Sequence, residues 1–341
     1  MPFKTHRRPV FPVDSPADVT ALVELLVPAA TDRELRSTLY DHFDYVAGAH
    51  PEWFRPHQER VILELLSGLS VPFGAMCVLL HGAPEHCVEH LAARPSPYVL
   101  EVLAAIGTEA ALTVAADLVR GQGSASRLED IGFWTPPTGP LQQRFSSHQL
   151  AVERRPVADL AELLAAEHPV GLPLDRVVRD PETTPVNWHY LSLRAAALPG
   201  VPAWPAEHLH LVDTNLSWGV TGAVGEDGRW HDESVEAAGT PDDEDDRDND
   251  GPDGRAMVVL RPYDDTLTYC NGHIMSTPDV FGTVGGPPIG VYSNPSCRSC
   301  HRLMFHVATV TNHLRGDGDG FRSLYICETC HLTTSAASNW N

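Results

Sequence analysis

The sequence predicts an α+β protein, a HEAT-like helical N-terminal domain followed by a β-rich domain that ends in a four-cysteine zinc ribbon. Three observations predict it. Amphipathic segments at helical spacing fill residues 1–120, and alternating, β-branched and aromatic segments fill much of 156–341. Two Cys-x-x-Cys-His knuckles, Cys297-Arg298-Ser299-Cys300-His301 and Cys327-Glu328-Thr329-Cys330-His331, flank a hairpin pattern near the end of the chain.

The first helix is marked by Ser15-Pro16-Ala17-Asp18: a serine N-cap, a proline at the first helical position and an acid at the third. Leu22, Val23, Leu25 and Leu26 then follow at helical spacing. Further amphipathic helices are predicted over 32–46, 51–66, 85–93, 97–106 and 109–120. Gly107-Thr108 joins the last two into a helical hairpin of the HEAT kind. Stacked hairpins leave one surface free for binding, whereas a plain bundle only supports its neighbour; the pattern allows both.

Gly121-Gln122-Gly123-Ser124 and Pro136-Pro137-Thr138-Gly139-Pro140 mark 121–155 as a linker region. One more helix is expected from Pro156 to Glu167, then strands at 188–193, 208–212, 217–224, 256–260 and 266–270. Residues 240–254 read as a disordered acidic loop: eight acids between Asp242 and Asp253 face one arginine, Arg247, and like charges repel. Asp246-x-Asp248-x-Asp250-Gly251 imitates half an EF-hand loop, but its twelfth position is Met257, not a bidentate Glu.

The zinc ribbon spans 295–332. Leu303, Phe305, Val307 and Ala308 approximate strand alternation, and Phe321-Arg322-Ser323-Leu324-Tyr325-Ile326 returns into the second knuckle. Gly316-Asp317-Gly318-Asp319-Gly320 supplies a tight reversal. Cys297, Cys300, Cys327 and Cys330 therefore meet, and four thiolates bind Zn²⁺ tetrahedrally as a structural cofactor with no open position. His301 and His331 could replace a thiolate or hydrogen-bond to one from outside the ligand set, or simply face solvent. Cys-x-x-Cys-His is also the attachment motif of c-type haem, so two haems are an alternative, as is a redox-active dithiol pair.

The chain has 341 residues, with 43% hydrophobic and 20% charged, and no run approaches the roughly 18 apolar residues of a membrane span. No secretory leader is recognisable at Met1–Arg8, so a cytoplasmic location is expected. A net charge of −21 repels a phosphate backbone and disfavours nucleic acid, while it suits a basic protein partner. Seven cysteines leave Cys77, Cys87 and Cys270 outside the knuckles, an odd remainder that argues against a disulfide framework. Cys77, in the apolar run 71–80, reads as a core residue.

Two other constellations bear on chemistry. His208 and His210 sit two apart on a predicted strand and share a face, which would offer two metal ligands if a third arrived from elsewhere. Cys270-Asn271-Gly272-His273 sets a thiol and an imidazole at the ends of a turn, a candidate Cys–His dyad.

Gly285-Gly286-Pro287-Pro288, Pro295-Ser296-Cys297-x-x-Cys300, Met304-Phe305 and Leu324-Tyr325-Ile326-Cys327-x-x-Cys330 together resemble the bacterial YwqG-like family. The N-terminal region of the eukaryotic programmed cell death 2-like proteins has a similar order of features. The resemblance covers 283–331; the family commonly has Trp-x-Gln after the glycine turn, where this chain has Ile289-Gly290-Val291. It implies protein binding rather than catalysis, in an immunity or chaperone-like role. The expected function is a zinc-stabilised protein-interaction module, with an enzyme using Cys270/His273 or the His208/His210 site, or a haem protein, as the alternatives.

Overall fold

A computed structural model describes residues 15–25, 51–66, 73–93, 97–122, 126–184, 186–213, 220–233, 255–262, 269–270, 273–274, 280–288, 294–315 and 320–338. The expected helix at 32–46 and acidic loop at 240–254 lie outside these residues. The chain divides into two compact units. One comprises Met1–Leu128, Thr135–Gln142 and Asp264–Met275; the other comprises Glu129–Trp134, Gln143–Tyr263 and Ser276–Asn341.

The first unit is mainly helical. Its described helices are α1 (Pro16–Glu24), α2 (Gln58–Leu66), α3 (Phe73–Leu80), α4 (Glu85–Ala92), α5 (Pro97–Ile106) and α6 (Glu109–Gln122). The α5–α6 hairpin forms as expected. Gly107 takes φ +68° and its N–H donates to Leu103 O, a left-handed cap that only glycine enters freely. Thr108 then caps α6, its Oγ1 accepting from Ala111 N–H at 3.3 Å. Val99, Leu100, Val102, Leu103 and Ile106 are all buried, because α5 packs against both α3 and α6. One hairpin is not a repeat, and the described helices do not show the HEAT-like stack.

Two segments differ locally from the pattern expected. Residues 51–66 do not form one α-helix: Pro51–His57 is a 3-10 turn, because Pro56 has no N–H to continue an α-helical ladder, and α2 begins after it. Phe73–Leu80, read only as an apolar run, is helix α3. Its unbroken hydrophobicity hid the helical period. Cys77 on α3 is half-buried, and desolvation pushes its thiol far up, which removes it as a nucleophile.

The second unit adds α7 (Ser126–Asp130, at the unit boundary), α8 (Leu160–Ala165) and α9 (Leu174–Val177). The described strands of both units in chain order are β1 (Phe133–Trp134), β2 (Gln142–Gln143), β3 (Leu150–Pro156), β4 (Pro169–Val170), β5 (Trp188–Arg194), β6 (His208–Asp213), β7 (Thr221–Val224), β8 (Trp230–Asp232), β9 (Ala256–Pro262), β10 (Tyr269–Cys270), β11 (His273–Ile274), β12 (Val280–Val284), β13 (Phe305–Thr311), β14 (Phe321–Cys327) and β15 (Leu332–Ser338), of which β10 and β11 belong to the first unit. Eleven of them make one antiparallel sheet in the order β6-β5-β4-β9-β3-β12-β13-β14-β15-β7-β8. The sheet curls until β6, at one edge, lies against β14 and β15, so that it is nearly closed and barrel-like.

Strand periodicity explains the two-sided burial. Leu209 and Leu211 of β6 and Leu324 and Ile326 of β14 enter one core, while Tyr325 and Cys327 point the other way, into the cysteine cluster. The same closure buries a charge. Arg322 of β14 donates from Nε to the Asp213 carboxylate of β6, and the guanidinium groups of Arg322 and Arg315 lie 5.6 and 5.7 Å from the Tyr190 ring centroid. Asp213 is 0% exposed and Arg322 8%. Asp213→Ala leaves Arg322 buried without its carboxylate and is expected to lower stability by about 3–5 kcal/mol, measured by urea denaturation. A loss below about 1 kcal/mol, the size of an exposed pair, would contradict this closure.

Residues 121–155, read as a linker, contain the end of α6, α7 and β3, whose seven residues pair along their whole length with β9 and which also pairs with β12. In the structure Arg154 Nε donates to Leu314 O, and Glu153 pairs with Arg261 at 2.6 Å.

Candidate metal centre

The β13–β14 hairpin brings the knuckles together. The first precedes β13, closed by a Ser296–Leu303 bridge and by Cys297 N–H donating to Arg302 O at 2.8 Å. The second follows β14 directly and turns into β15. Each knuckle turns on its histidine: His301 and His331 have φ 58° and 56°, the only non-glycine residues with positive φ among those described. Their N–H groups donate back to Cys297 O at 2.7 Å and Cys327 O at 2.8 Å. Both rings are exposed and neither joins the sulfur cluster. Their place is the left-handed corner of the turn, where histidine is tolerated better than most residues.

The sulfurs of Cys297, Cys300, Cys327 and Cys330 all lie within 4.8 Å of one another, with Cys300 and Cys327 3.6 Å apart. Zn–S bonds of about 2.3 Å in a tetrahedron place sulfurs about 3.8 Å apart, so the set fits one such ion. The backbone supports thiolates: N–H groups of Thr329 and Cys330 aim at the Cys327 sulfur, and that of Arg302 at the Cys300 sulfur. Burial nevertheless pushes the Cys327 thiol up to about 12. A cation shared by the four removes that conflict, and the donor set, all sulfur and fourfold, suits zinc.

His301→Gly and His331→Gly relieve the positive φ and are expected to leave stability unchanged or raise it by about 1 kcal/mol, whereas His301→Val lowers it by more than that. Thermal melts of the zinc-loaded protein measure this; a marked loss in the glycine variants would show that the imidazoles themselves hold the site.

Arg144, from the segment read as a linker, reaches the centre's outer side. Its Nη1 and Nη2 donate to the two Glu328 oxygens at 2.9 and 2.7 Å, and its Nε donates to Leu303 O at 2.9 Å. Burial pushes the Glu328 carboxyl up, but the guanidinium outweighs this and holds it below its ordinary value. Trp204 stands edge-on to the His331 ring at 5.9 Å. The glycine turn is locked nearby. Gly285 and Gly286 have φ 75° and 74°, a Cβ on Gly285 would fall 1.9 Å from His148 O, and His306 Nδ1–H donates to Gly286 O.

The His208/His210 metal site is not supported. Leu172 N–H donates to His189 Nδ1, so His189 Nε2–H donates to Ser192 Oγ, whose hydroxyl donates to His210 Nδ1; His210 Nε2–H then donates to Gly228 O. Every ring nitrogen of His189 and His210 is engaged, leaving no lone pair for a metal. His208 only stacks on His210 at 6.3 Å. Among the described residues the four cysteines are the one metal-binding group of three or more ligands. Haem attachment is also at odds with the geometry, since a macrocycle on each Cys pair cannot fit where both pairs share one 4.8 Å cluster. Cys270 and His273 are Cα partners in the β10–β11 pair.

The sequence pointed to the four sulfurs but not to Arg144, Trp204 or the His189–Ser192–His210 chain. Arg144 lies 184 residues from Glu328, and no local pattern links them. The chain matches no protein-family model, no curated protein and no solved structure with which it was compared.

Proposed function

We propose that this chain is a zinc-stabilised cytoplasmic protein-interaction module, an immunity or chaperone-like factor of the YwqG-like kind, whose HEAT-like helices bind a basic protein. The observation that carries the reading is the sulfur cluster, because four thiolates fill a tetrahedral shell and leave a bound zinc no position for substrate or water. Zinc held this way joins the ends of two strands and contributes to folding, not to turnover. The net charge of −21 favours a basic partner. No helix among the described residues is long and apolar enough to cross a membrane. Affinity capture from native lysate is expected to return a basic protein in stoichiometric amount, released by moderate salt. Its absence, with the bait folded and metal-loaded, would count against the reading.

A second reading rests on the Cys270–His273 register. Cys270 and His273 are Cα partners across a short β pair, and a thiol with an imidazole within reach would have the groups of a nucleophilic dyad. Iodoacetamide labelling against pH decides it: an activated Cys270 reacts well below pH 8, and an ordinary thiol does not.

A further inference from the structure

We propose that Arg144 is a positioning residue of the metal centre, a latch that sets the two knuckles at the separation one ion requires; this rests on the metal reading above. Pairing of β13 with β14 ends at Phe305 opposite Ile326, so the ladder between these two strands includes none of the four ligands; Cys327 is paired only on its other side, to Leu332 of β15. Something beyond the ladder must fix the knuckles relative to each other.

Arg144 does so from a chain segment belonging to neither knuckle. Its own backbone is fastened to β13, with His306 N–H donating to Arg144 O at 2.7 Å and Phe145 bridging His306 in parallel. From that anchor the guanidinium holds Leu303 O, in the residue that closes the first knuckle, and both oxygens of Glu328, inside the second. The Phe305 ring lies 5.8 Å below it. Arg144 is 9% exposed, so the fork is held in place by its surroundings. A bidentate Arg–carboxylate pair fixes distance and orientation together, which one lysine ammonium cannot.

Charge favours the same role. A divalent ion with four thiolates leaves the centre net anionic, and the Glu328 carboxylate adds another negative charge between two of its ligands. The Arg144 guanidinium offsets that carboxylate, so its removal weakens the site electrostatically as well as geometrically. Outer groups that orient metal ligands typically alter affinity by roughly 10–100-fold.

The test is zinc competition against a chromophoric chelator with the full chain. Arg144→Ala and Glu328→Gln are each expected to weaken zinc binding roughly 10–100-fold, and the double variant little more than the stronger single, because the two side chains act as one. Arg144→Lys is expected to fall between wild type and Arg144→Ala. Arg154→Ala is the control. It removes a comparable arginine–carbonyl anchor, to Leu314 O beyond the other end of β13, and is expected to lower Tm while leaving zinc affinity unchanged. If Arg144→Ala does not fold, Glu328→Gln carries the test alone, since Glu328 is partly exposed. Unchanged affinity in Glu328→Gln, or an equal loss in Arg154→Ala, overturns the latch and leaves the metal reading standing. A wild-type chain that binds no zinc overturns both.

Discussion

Serine at Cys327 abolishes zinc binding and unfolds the β13–β14–β15 ribbon. Cys327 ends β14, is 2% exposed, and its sulfur receives two backbone N–H groups that a shorter hydroxyl cannot reach in the same way. Loss of one thiolate also opens the tetrahedral shell. Because the unfolded chain has no such site, metal affinity is folding free energy on the order of 10 kcal/mol, comparable with the whole net stability of a typical domain. The buried packing of Met304, Tyr325 and Leu332 around the cysteines would lose its common anchor. Cys327→Ser, or wild type stripped by a strong chelator, is expected to lose cooperative thermal unfolding of the second unit, read by near-ultraviolet circular dichroism. A melt unchanged by chelator would contradict the structural role.

The second large effect is acid instability. His210 and His306 are buried with every ring nitrogen hydrogen-bonded, His306 donating to Gly286 O and accepting from Thr309, which in turn accepts from Ser323. Desolvation lowers both from their ordinary value of 6.5 to about 4, and lowers His189 well below its ordinary value as well. Between those values the unfolded chain binds protons that the folded chain refuses. Stability is therefore complete above pH 6.5 and falls as pH drops toward 4, by about 3 kcal/mol for each of the two residues. Urea denaturation at pH 7 and 4.5 measures the loss, and imidazole proton resonances identify its source. Rings of His210 and His306 that titrate near 6.5 in the folded protein would contradict this account; zinc release at low pH is a separate event, visible in a chelator dye.

What the sequence revealed depended on how local each signal was. The knuckles, the α5–α6 hairpin and strands β5, β6, β9, β13 and β14 carry their information within a few residues: cysteine spacing, a Gly-Thr cap, alternation. β3 was missed because a strand at the centre of a sheet is defined by its neighbours, β9 and β12, which lie a hundred or more residues away. The histidine pair on β6 was read correctly as sharing a face. What that face meets, His189 and Ser192 of β5 and Gly228, is set by register across strands. Arg144 was hidden for the same reason. Both the buried ion pair of Asp213 with Arg322 and the near closure of the sheet arise from contacts over more than a hundred positions, and a single sequence carries no mark of them.

Metal analysis of the natively purified chain, combined with cobalt substitution, tests the central claim most directly. The account predicts one zinc ion per chain, and a cobalt form whose visible spectrum shows tetrahedral coordination with intense sulfur-to-metal charge transfer, lost in Cys327→Ser. A chain with no bound metal and four freely reactive knuckle thiols, or a cobalt spectrum of six-coordinate oxygen and nitrogen ligation, would contradict it.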